Sequence, residues 1–435
     1  MKFIIHRGTK EIGGLCVEVA AGGTRIILDV GLPLNYCQEK AIDGIRSRVR
    51  RCRFPSTAQH VPKVPGLFQE GAPIHAILLS HAHADHAGLL NYAKPDIPVY
   101  CTQGTSKMLM AGSMFAKQVP LERAREVIVT PLKPTVIGDL VVTAYPVDHS
   151  AFDSVAYLIE ADGKRLLFSG DLRLHGRKPG MADQLINAVS SRPLDVLLME
   201  GTHFSSRRET GWTERELEAR LRQHFWGLPG LILMNFSPMH LDRMVSFYNA
   251  TRSAGRVFVV DPYAAFVLYL AAGQCRVPKP EAKHRIKVYY NQHFERTWKY
   301  RNLGKVRDMF QGNRIELSTI LDHPEGYAMV CRPSMAQLDF QSSFPPRSTW
   351  FYSYWQGYLE KPESGYRTLI AKLEETGGEF VQYHTSGHIF AEDIETFVKR
   401  LTPTRIVPIH TTGRNEFVKR FENVALAEDG ETDVV

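Results

Sequence analysis

Apolar and polar positions alternate with a period of two through KFIIHRG, GLCVEVA and TRIILDVG, three segments separated by glycine-containing turns within residues 1–31. That alternation predicts a β-rich, hairpin-like start. The run IHAILLS at 74–80 reads as a buried strand, and Ala87-Gly88-Leu89-Leu90 opens a helix after it. Strands and helices then alternate to LVVTAYPV at 140–147, and SVAYLIE, a turn at Asp162-Gly163, RLLFSG and LDVLLMEG (194–201) continue the strand series. The arrangement is α/β layering. From Glu214 to about Ile394 helical and strand patterns take turns: TERELEARLRQHF, LILMNF, HLDRMVSFYNAT, RVFVVD, AAFVLYLAA, RIKVYY, then YAMVCRP, STWFYSYW and GYRTLIAKLEETGG. This predicts a second α/β unit, built on a parallel sheet. Ser386-Gly387-His388 opens an amphipathic helix with Ile394, Phe397, Val398 and Leu401 on one face. A strand, TRIVPIHT, and a short basic helix, RNEFVKRFENV, complete the pattern.

At 435 residues the chain has room for two domains, or for one with a large insertion. Hydrophobic residues at 44% and charged ones at 23% describe a globular protein. No apolar run approaches the roughly 20 residues of a membrane helix, and MKFIIHRGTK lacks a signal peptide's apolar core and cleavage site. The expectation is a cytoplasmic protein with no membrane association. Six scattered cysteines without a Cys-x-x-Cys pair fit reduced thiols. Net charge is +7, yet the last eleven residues hold four acids and no base, so the body is more basic than the whole. A basic body suits a polyanionic substrate. Lys40, Arg46, Arg48, Arg50, Arg51 and Arg53 form an exposed basic loop within 40–65, a path for phosphates or a solvated charge run. The acidic end, 426–435, is expected to be disordered.

The chemistry concentrates in Ser80-His81-Ala82-His83-Ala84-Asp85-His86, which directly follows the apolar run at 74–80. His81 and His83, two apart on a loop, can converge on one ion while Asp85 and His86 turn toward a second position. Neutral imidazole suits zinc, and an adjoining carboxylate suits zinc or manganese. Asp29, His149, Asp171, Glu200 and His410 also stand at the ends of apolar strands. Strand ends on one sheet edge lie close in space although distant in sequence.

The His-x-His-x-Asp-His string resembles the signature of the metallo-β-lactamase superfamily. Glu200, His388 and His410 match three further motifs of its β-CASP branch, and Asp29, His149 and Asp171 match the remaining general ones. VDHSAFDSVAY, SGDLR, and SGH with a later PIH look most like ribonuclease J without its C-terminal domain. The resemblance implies an αββα sandwich from residues 1–200 and 385–425, an inserted α/β β-CASP domain over 201–384, and a substrate cleft between them. It implies that His81, His83 and His149 hold one zinc, that Asp85, His86 and His410 hold the other, and that Asp171 bridges the two, with Mn²⁺ an alternative metal. Asp29 becomes an outer partner orienting a ligand histidine. Asp85 orients the nucleophile, and His388 paired with Glu200 is the acid for the departing oxygen. Ser237, His240 and Arg243 resemble a phosphate-contacting segment, and Ser386 with Gly387 would meet a phosphate at a helix start.

The implied activity is a two-metal ribonuclease acting on single-stranded RNA, internally or from the 5′ end. His410 favours RNA, because the DNA-repair members usually carry an aliphatic residue there. Two rivals share the pattern: a DNA nuclease or small-nucleotide phosphodiesterase of the same fold, and an inactive RNA-binding scaffold, which would typically have lost ligands that are all present here. Thr411-Thr412 replaces the Gly-Glu that ribonuclease J usually carries after its last histidine. Protein partners are not specified. The aromatic stretch TWFYSYWQGY (349–358) reads as buried strand before base-stacking surface.

Overall fold

The computed structural model describes residues 1–34, 61–118, 120–206, 209–341, 343–361 and 365–435. The basic loop, with its six named cations, falls outside the described residues. The chain forms two units, one of residues 1–174, 178–211 and 387–435, the other of 175–177 and 212–386. The exit from the first unit lies beyond the expected 200/201. The short helix Thr202–Ser206 stays with the first unit, its Phe204 ring 4.6 Å from Phe417 and Ser205 Oγ 3.0 Å from Thr411 Oγ1.

The first unit contains two sheets. One is built from β1 (Lys2–Arg7), β2 (Cys16–Ala21), β3 (Thr24–Leu28), β4 (Ala76–Leu78), β5 (Val99–Cys101) and β6 (Glu126–Ile128) in sequential order. The other contains β7 (Pro134–Ile137), β8 (Leu140–Pro146), β9 (Val155–Ala161), β10 (Lys164–Phe168), β11 (Val196–Glu200) and, counted in chain order, β19 (Arg405–Ile409), arranged β19-β11-β10-β9-β8-β7. Alternate residues of both sheets meet in one core, among them Val17, Val19, Ile26 and Leu28 from the first and Val142, Tyr157, Phe168, Leu198 and Ile409 from the second. A one-residue slip would turn each of these to the wrong face, forfeiting roughly 1.5–3 kcal/mol per side chain, so the register is strongly specified. The outer face of the second sheet (Leu158, Leu167, Leu197, Ile406) is covered by Leu185 and Ile186 of helix Gly180–Val189 and by Ile394, Phe397, Val398 and Leu401 of helix Ala391–Leu401. This is the α/β layering that the alternation predicts, in the αββα arrangement that the resemblance implies.

The acidic end is a correction. Instead of being disordered, it forms β20 (Thr432–Val434), which pairs antiparallel with β1 through Lys2↔Val434 and Ile4↔Thr432. Three of its four carboxylates have partners: Asp433 accepts from Arg405 Nη1 at 2.9 Å, Glu428 from Arg414 Nη2 at 2.9 Å, and Asp429 from the Thr9 amide at 3.1 Å. Ala425, Ala427 and Val435 pack against the core. Composition alone does not show partners contributed from elsewhere in the chain.

Glu18, buried on β2, carries an acid-sensitive share of this unit's stability. Burial disfavours its charge, but His6 Nε2 at 2.9 Å and Arg25 Nε at 2.7 Å more than offset that, holding its carboxyl at about 2. A depressed folded pKa stabilises above the ordinary value of 4.5 and is lost as pH falls toward 2. Glu18→Gln is therefore expected to cost about 2–3 kcal/mol at neutral pH. In denaturant titrations the gap from the parent should close between pH 4.5 and 2; a constant gap would refute the assignment.

The second unit carries β12 (Ile232–Asn235), β13 (Val257–Val260), β14 (Ile286–Tyr289), β15 (Arg314–Ile315), β16 (Tyr327–Val330), β17 (Thr349–Tyr352) and β18 (Glu379–Gln382). Their order is β15-β14-β13-β16-β12-β17-β18, and every pair is parallel. Central strands of such a sheet are covered on both faces, which accounts for the uninterrupted apolar runs LILM and VFVV. Helix Glu214–Phe225 starts with a capping box in which Thr213 and Glu216 satisfy each other's backbone amides. Trp350, Phe351 and Tyr352 of the aromatic stretch are fully buried in β17, while Trp355 and Tyr358 beyond it are exposed. Among the described residues no helix is long and apolar enough to cross a membrane.

Candidate metal centre

β3 and β4 are parallel neighbours, and in the second sheet β8, β10, β11 and β19 run in one common direction. Asp29, His81, His149, Asp171, Glu200 and His410 stand at or just beyond the ends of these six strands. Topology thus delivers them to one place from positions up to hundreds of residues apart. His81 and His83 lie on the loop after β4, but Asp85 and His86 belong to a single helical turn, Ala84–Ala87, that begins before the expected helix start. The turn is clamped from outside: Val30 N donates to His86 O at 2.8 Å and Leu32 N to Ala84 O at 2.9 Å. Gly31 permits this approach, since a Cβ there would lie 1.7 Å from the Asp85 carbonyl oxygen.

Two ligand groups result. His81, His83 and His149 form one, and Asp85, His86, Asp171 and His410 the other, the ligand atoms of each lying within 4.8 Å of one another. In the first, His83 Nδ1 is 3.1 Å from His81 Nε2 and 3.2 Å from His149 Nε2. The hydrogen bonds behind the rings set their tautomers. Ser80 Oγ lies 2.7 Å from Asp29 Oδ2, to which it donates, and 3.0 Å from His81 Nδ1, from which it accepts; His149 Nδ1 donates to the Gly387 carbonyl at 2.6 Å. Both rings therefore present a bare Nε2 to the same point. Burial pushes the His81 and His149 imidazoles well below their ordinary value, which keeps them neutral as ligation requires.

In the second group, His86 Nδ1 donates to Asp29 Oδ2 at 2.7 Å, leaving a bare Nε2 only 3.0 Å from Asp171 Oδ2. His86 Nε2, both Asp171 oxygens and His410 Nε2 are buried with no hydrogen-bond partner. Buried polar atoms are normally satisfied, and four orphans converging on one point fit a cation. Electrostatics agree: burial opposes a charged His86, yet Asp171, Asp85 and Asp29 raise its pKa well above the ordinary value. A site that stabilises a proton there stabilises a divalent ion in its place. Asp171 also belongs to a third grouping with Glu200, His388 and His410. His388 Nδ1 is 3.1 Å from Glu200 Oε2 and 3.6 Å from Asp171 Oδ2. Burial disfavours its charge, but these carboxylates push it up to about 9.

The residue model of the beta-lactamase superfamily domain matches residues 53–255. The RNase J-like protein of Methanocaldococcus jannaschii is 26% identical over 211 residues, covering 46% of this chain and 42% of that protein. Residues 53–255 thus match a beta-lactamase superfamily domain, and the chain is similar to ribonuclease J proteins at low identity. Ribonuclease J of Mycobacterium tuberculosis is 25% identical over 262 residues (57% of this chain, 42% of that one), and ribonuclease J of Pyrococcus abyssi is 23% identical over 441 residues (93% and 88%). The chain thus spans under half the length of the first two relatives. A crystal structure of an Enterococcus faecalis V583 protein of unknown function superimposes with a TM-score of 0.78 at 22% identity, covering 100% of this chain and 99% of that one, and shows the same fold.

The phosphate contacts need correction. Arg243 is fully buried in the second unit; its guanidinium donates to both Glu214 oxygens at 2.9 and 3.1 Å, to the Ser353 hydroxyl at 2.5 Å and to the Thr385 carbonyl at 3.0 Å. No donor direction is left for a phosphate, and its role is structural. His240, also buried, lies 3.9 Å from the same Glu214, and Ser237, half-buried, accepts from its amide. Ser386 and Gly387 do not open a helix, because the helical residues begin at Ala391; the carbonyl of Gly387 instead orients His149. Two contributors carry no sequence signal of their own. Ser80 joins Asp29 to His81, and Thr202 Oγ1 lies 3.1 Å from His410 Nδ1 and 3.3 Å from His388 Nδ1.

Asp29 sets the tautomers of this centre through His86 Nδ1 and Ser80 Oγ. Asp29→Asn keeps the left-handed backbone (φ 58°), which asparagine tolerates. Its amide NH₂ cannot accept from His86 Nδ1, so His86 would carry its proton on Nε2, the wrong nitrogen. Affinity for Zn²⁺ in chelator competition is expected to fall about 10–100-fold; unchanged affinity would show that Asp29 does not set the ligand.

Proposed function

We propose that the chain is a zinc-dependent cytoplasmic ribonuclease that hydrolyses phosphodiester bonds of single-stranded RNA, internally, from the 5′ end, or both, with Mn²⁺ able to replace zinc. The observation that carries this reading is the pair of ligand groups with the orphaned Asp171 carboxylate. His81, His83 and His149 would hold one ion and Asp85, His86 and His410 the other, with Asp171 shared. Two divalent ions supply a water acidic enough to ionise near neutrality and positive charge against the phosphate oxygens. Asp85, whose carboxyl is held well below its ordinary value by His86 and His410 despite burial, remains an acceptor that orients the attacking water. His388, held charged by Glu200, donates a proton toward the departing oxygen. The choice of RNA rests on the ribonuclease J relatives and on a histidine at 410. The second unit is read as the β-CASP insertion.

His388→Ala is expected to slow turnover by about 10²–10⁴-fold with zinc content retained. Loss of zinc, read by atomic absorption, would make His388 a ligand and not an acid. The reading as a whole is tested on one 5′-labelled single-stranded oligonucleotide, in RNA and DNA versions, with Zn²⁺ or Mn²⁺ and Asp171→Asn protein as control. RNA-only cutting with a silent control supports it, and the product ladder separates internal cleavage from 5′ trimming. Metal-loaded protein that cuts neither strand overturns it.

A further inference from the structure

Three strand ends of the second unit gather an unusual set of side chains. β13 and β16 are neighbours although the chain leaves β13 toward β14 and β15 on one side and leaves β16 toward β17 and β18 on the other. At such a reversal the carboxyl ends of parallel strands leave a crevice in which ligands bind. Asp261 follows β13 and Arg332 follows β16, joined by a 2.8 Å contact from Nε to Oδ2; the other Asp261 oxygen caps helix Pro262–Ala271 at the Ala264 amide. Arg332 lies 5.7 Å from the Tyr263 ring and within hydrogen-bond reach of Tyr354.

The end of β17 continues this surface. The Tyr354 ring is 6.4 Å from that of Tyr358, and Trp355 meets Tyr358 edge to face at 5.5 Å. Trp355 is 58% and Tyr358 46% exposed, in contrast to the three buried rings of β17. The Trp355 backbone is held by the buried Tyr352, whose hydroxyl donates to its carbonyl at 3.1 Å. The indole rests on Gly357, where a Cβ would lie 2.3 Å from it. Lys361 Nζ stands 5.6 Å over the Tyr358 ring. Rigidly anchored, solvent-facing rings interleaved with cations match an unpaired nucleotide: a π-face for the base, positive charge for its phosphate.

We propose that Trp355 and Tyr358, with Arg332 and Lys361, form a nucleotide-binding platform that stacks an unpaired base of single-stranded RNA and pairs with its phosphate. The choice of RNA rests on the ribonuclease reading above.

The test uses the full chain carrying Asp171→Asn and measures fluorescence anisotropy of a 3′-labelled single-stranded RNA 20-mer and of a matching abasic oligomer. Trp355→Ala and Tyr358→Ala should each weaken RNA binding about tenfold and leave the abasic oligomer unaffected. Trp355→Phe should bind within about threefold of the parent, since a ring remains. Gly357→Ala, which displaces the indole, should behave as Trp355→Ala does. Arg332→Gln should weaken both oligomers alike. Unchanged RNA affinity in the Trp355→Ala, Tyr358→Ala double variant overturns the platform while leaving the ribonuclease reading in place. A parent that binds neither oligomer overturns both.

Discussion

Asp171→Asn is expected to abolish the proposed RNA cleavage, lowering turnover at least about 10³-fold, and to reduce the proposed complement of two zinc ions toward one. Asp171 is the residue on which all the groupings converge: it is 3.0 Å from His86, 3.6 Å from His388, 3.6 Å from His410 and 3.8 Å from His81. Burial alone would favour its neutral acid, but His410, His86 and His388 hold it ionised, well below the ordinary carboxylate range. An amide keeps the shape and removes the negative charge that two cations would share. Two ions held by these residues would stabilise both the attacking and the leaving oxygen, and a centre with reduced charge compensation would lose that stabilisation. Because asparagine is nearly isosteric, far-UV circular dichroism of the metal-free variant should match that of the metal-free parent. Full activity with one ion would remove Asp171 from the shared position and leave a mononuclear centre.

The largest expected effect on stability lies in the other unit, at Arg243. Arg243 and Glu214 are both wholly inaccessible to solvent and bonded through two oxygens, with Ser246 Oγ adding a third contact to Glu214 at 2.8 Å. Removing one member of such a pair leaves an uncompensated buried charge, and Arg243→Ala is expected to destabilise the unit by about 3–5 kcal/mol. Hydrogen exchange of helix Leu241–Ser253 is the suitable measurement, because a chain with two units need not unfold in one step. Replacing both partners, Arg243→Met with Glu214→Leu, should recover much of that loss, since the desolvation penalty then disappears with the charges. A double variant no better than Arg243→Ala would mean that packing, not charge, dominates the site.

Much of this could be read from the residues in order. Period-two alternation located β1 to β3, and apolar runs ending in His or Asp located the ends of β4, β8, β10 and β19, because metal chemistry needs ligand types that are rare at buried strand ends. Other features depend on partners remote in sequence. Arg243 sits in a segment, 235–243, that resembles a phosphate-contacting one, and only the fold brings Glu214 and Ser353 around it. The acidic end looked unstructured until Arg405, Arg414 and Thr9 were placed beside it. Ser80 and Thr202 are ordinary hydroxyl residues whose importance is purely positional. The split of TWFYSYWQGY into buried and exposed rings follows from where β17 stops, which periodicity does not fix.

The pairing of β11 with β19 has a further consequence for how the protein is made. Residues 196–200 pair with β10 on one edge, but their other edge finds its partner only at 405–409, after an entire second unit has been synthesised. On a ribosome adding roughly 5–20 residues per second, the β11 edge waits ten seconds or more, and long-range pairing of this kind is intrinsically slow. The inserted unit has its own continuous parallel sheet and can collapse first, within the lag. His410 emerges among the last ligands, directly after the closing strand. A nascent chain therefore holds an open β edge and an incomplete set of ligand residues at the same time, and both are completed by a single event once residues 405–410 have been made.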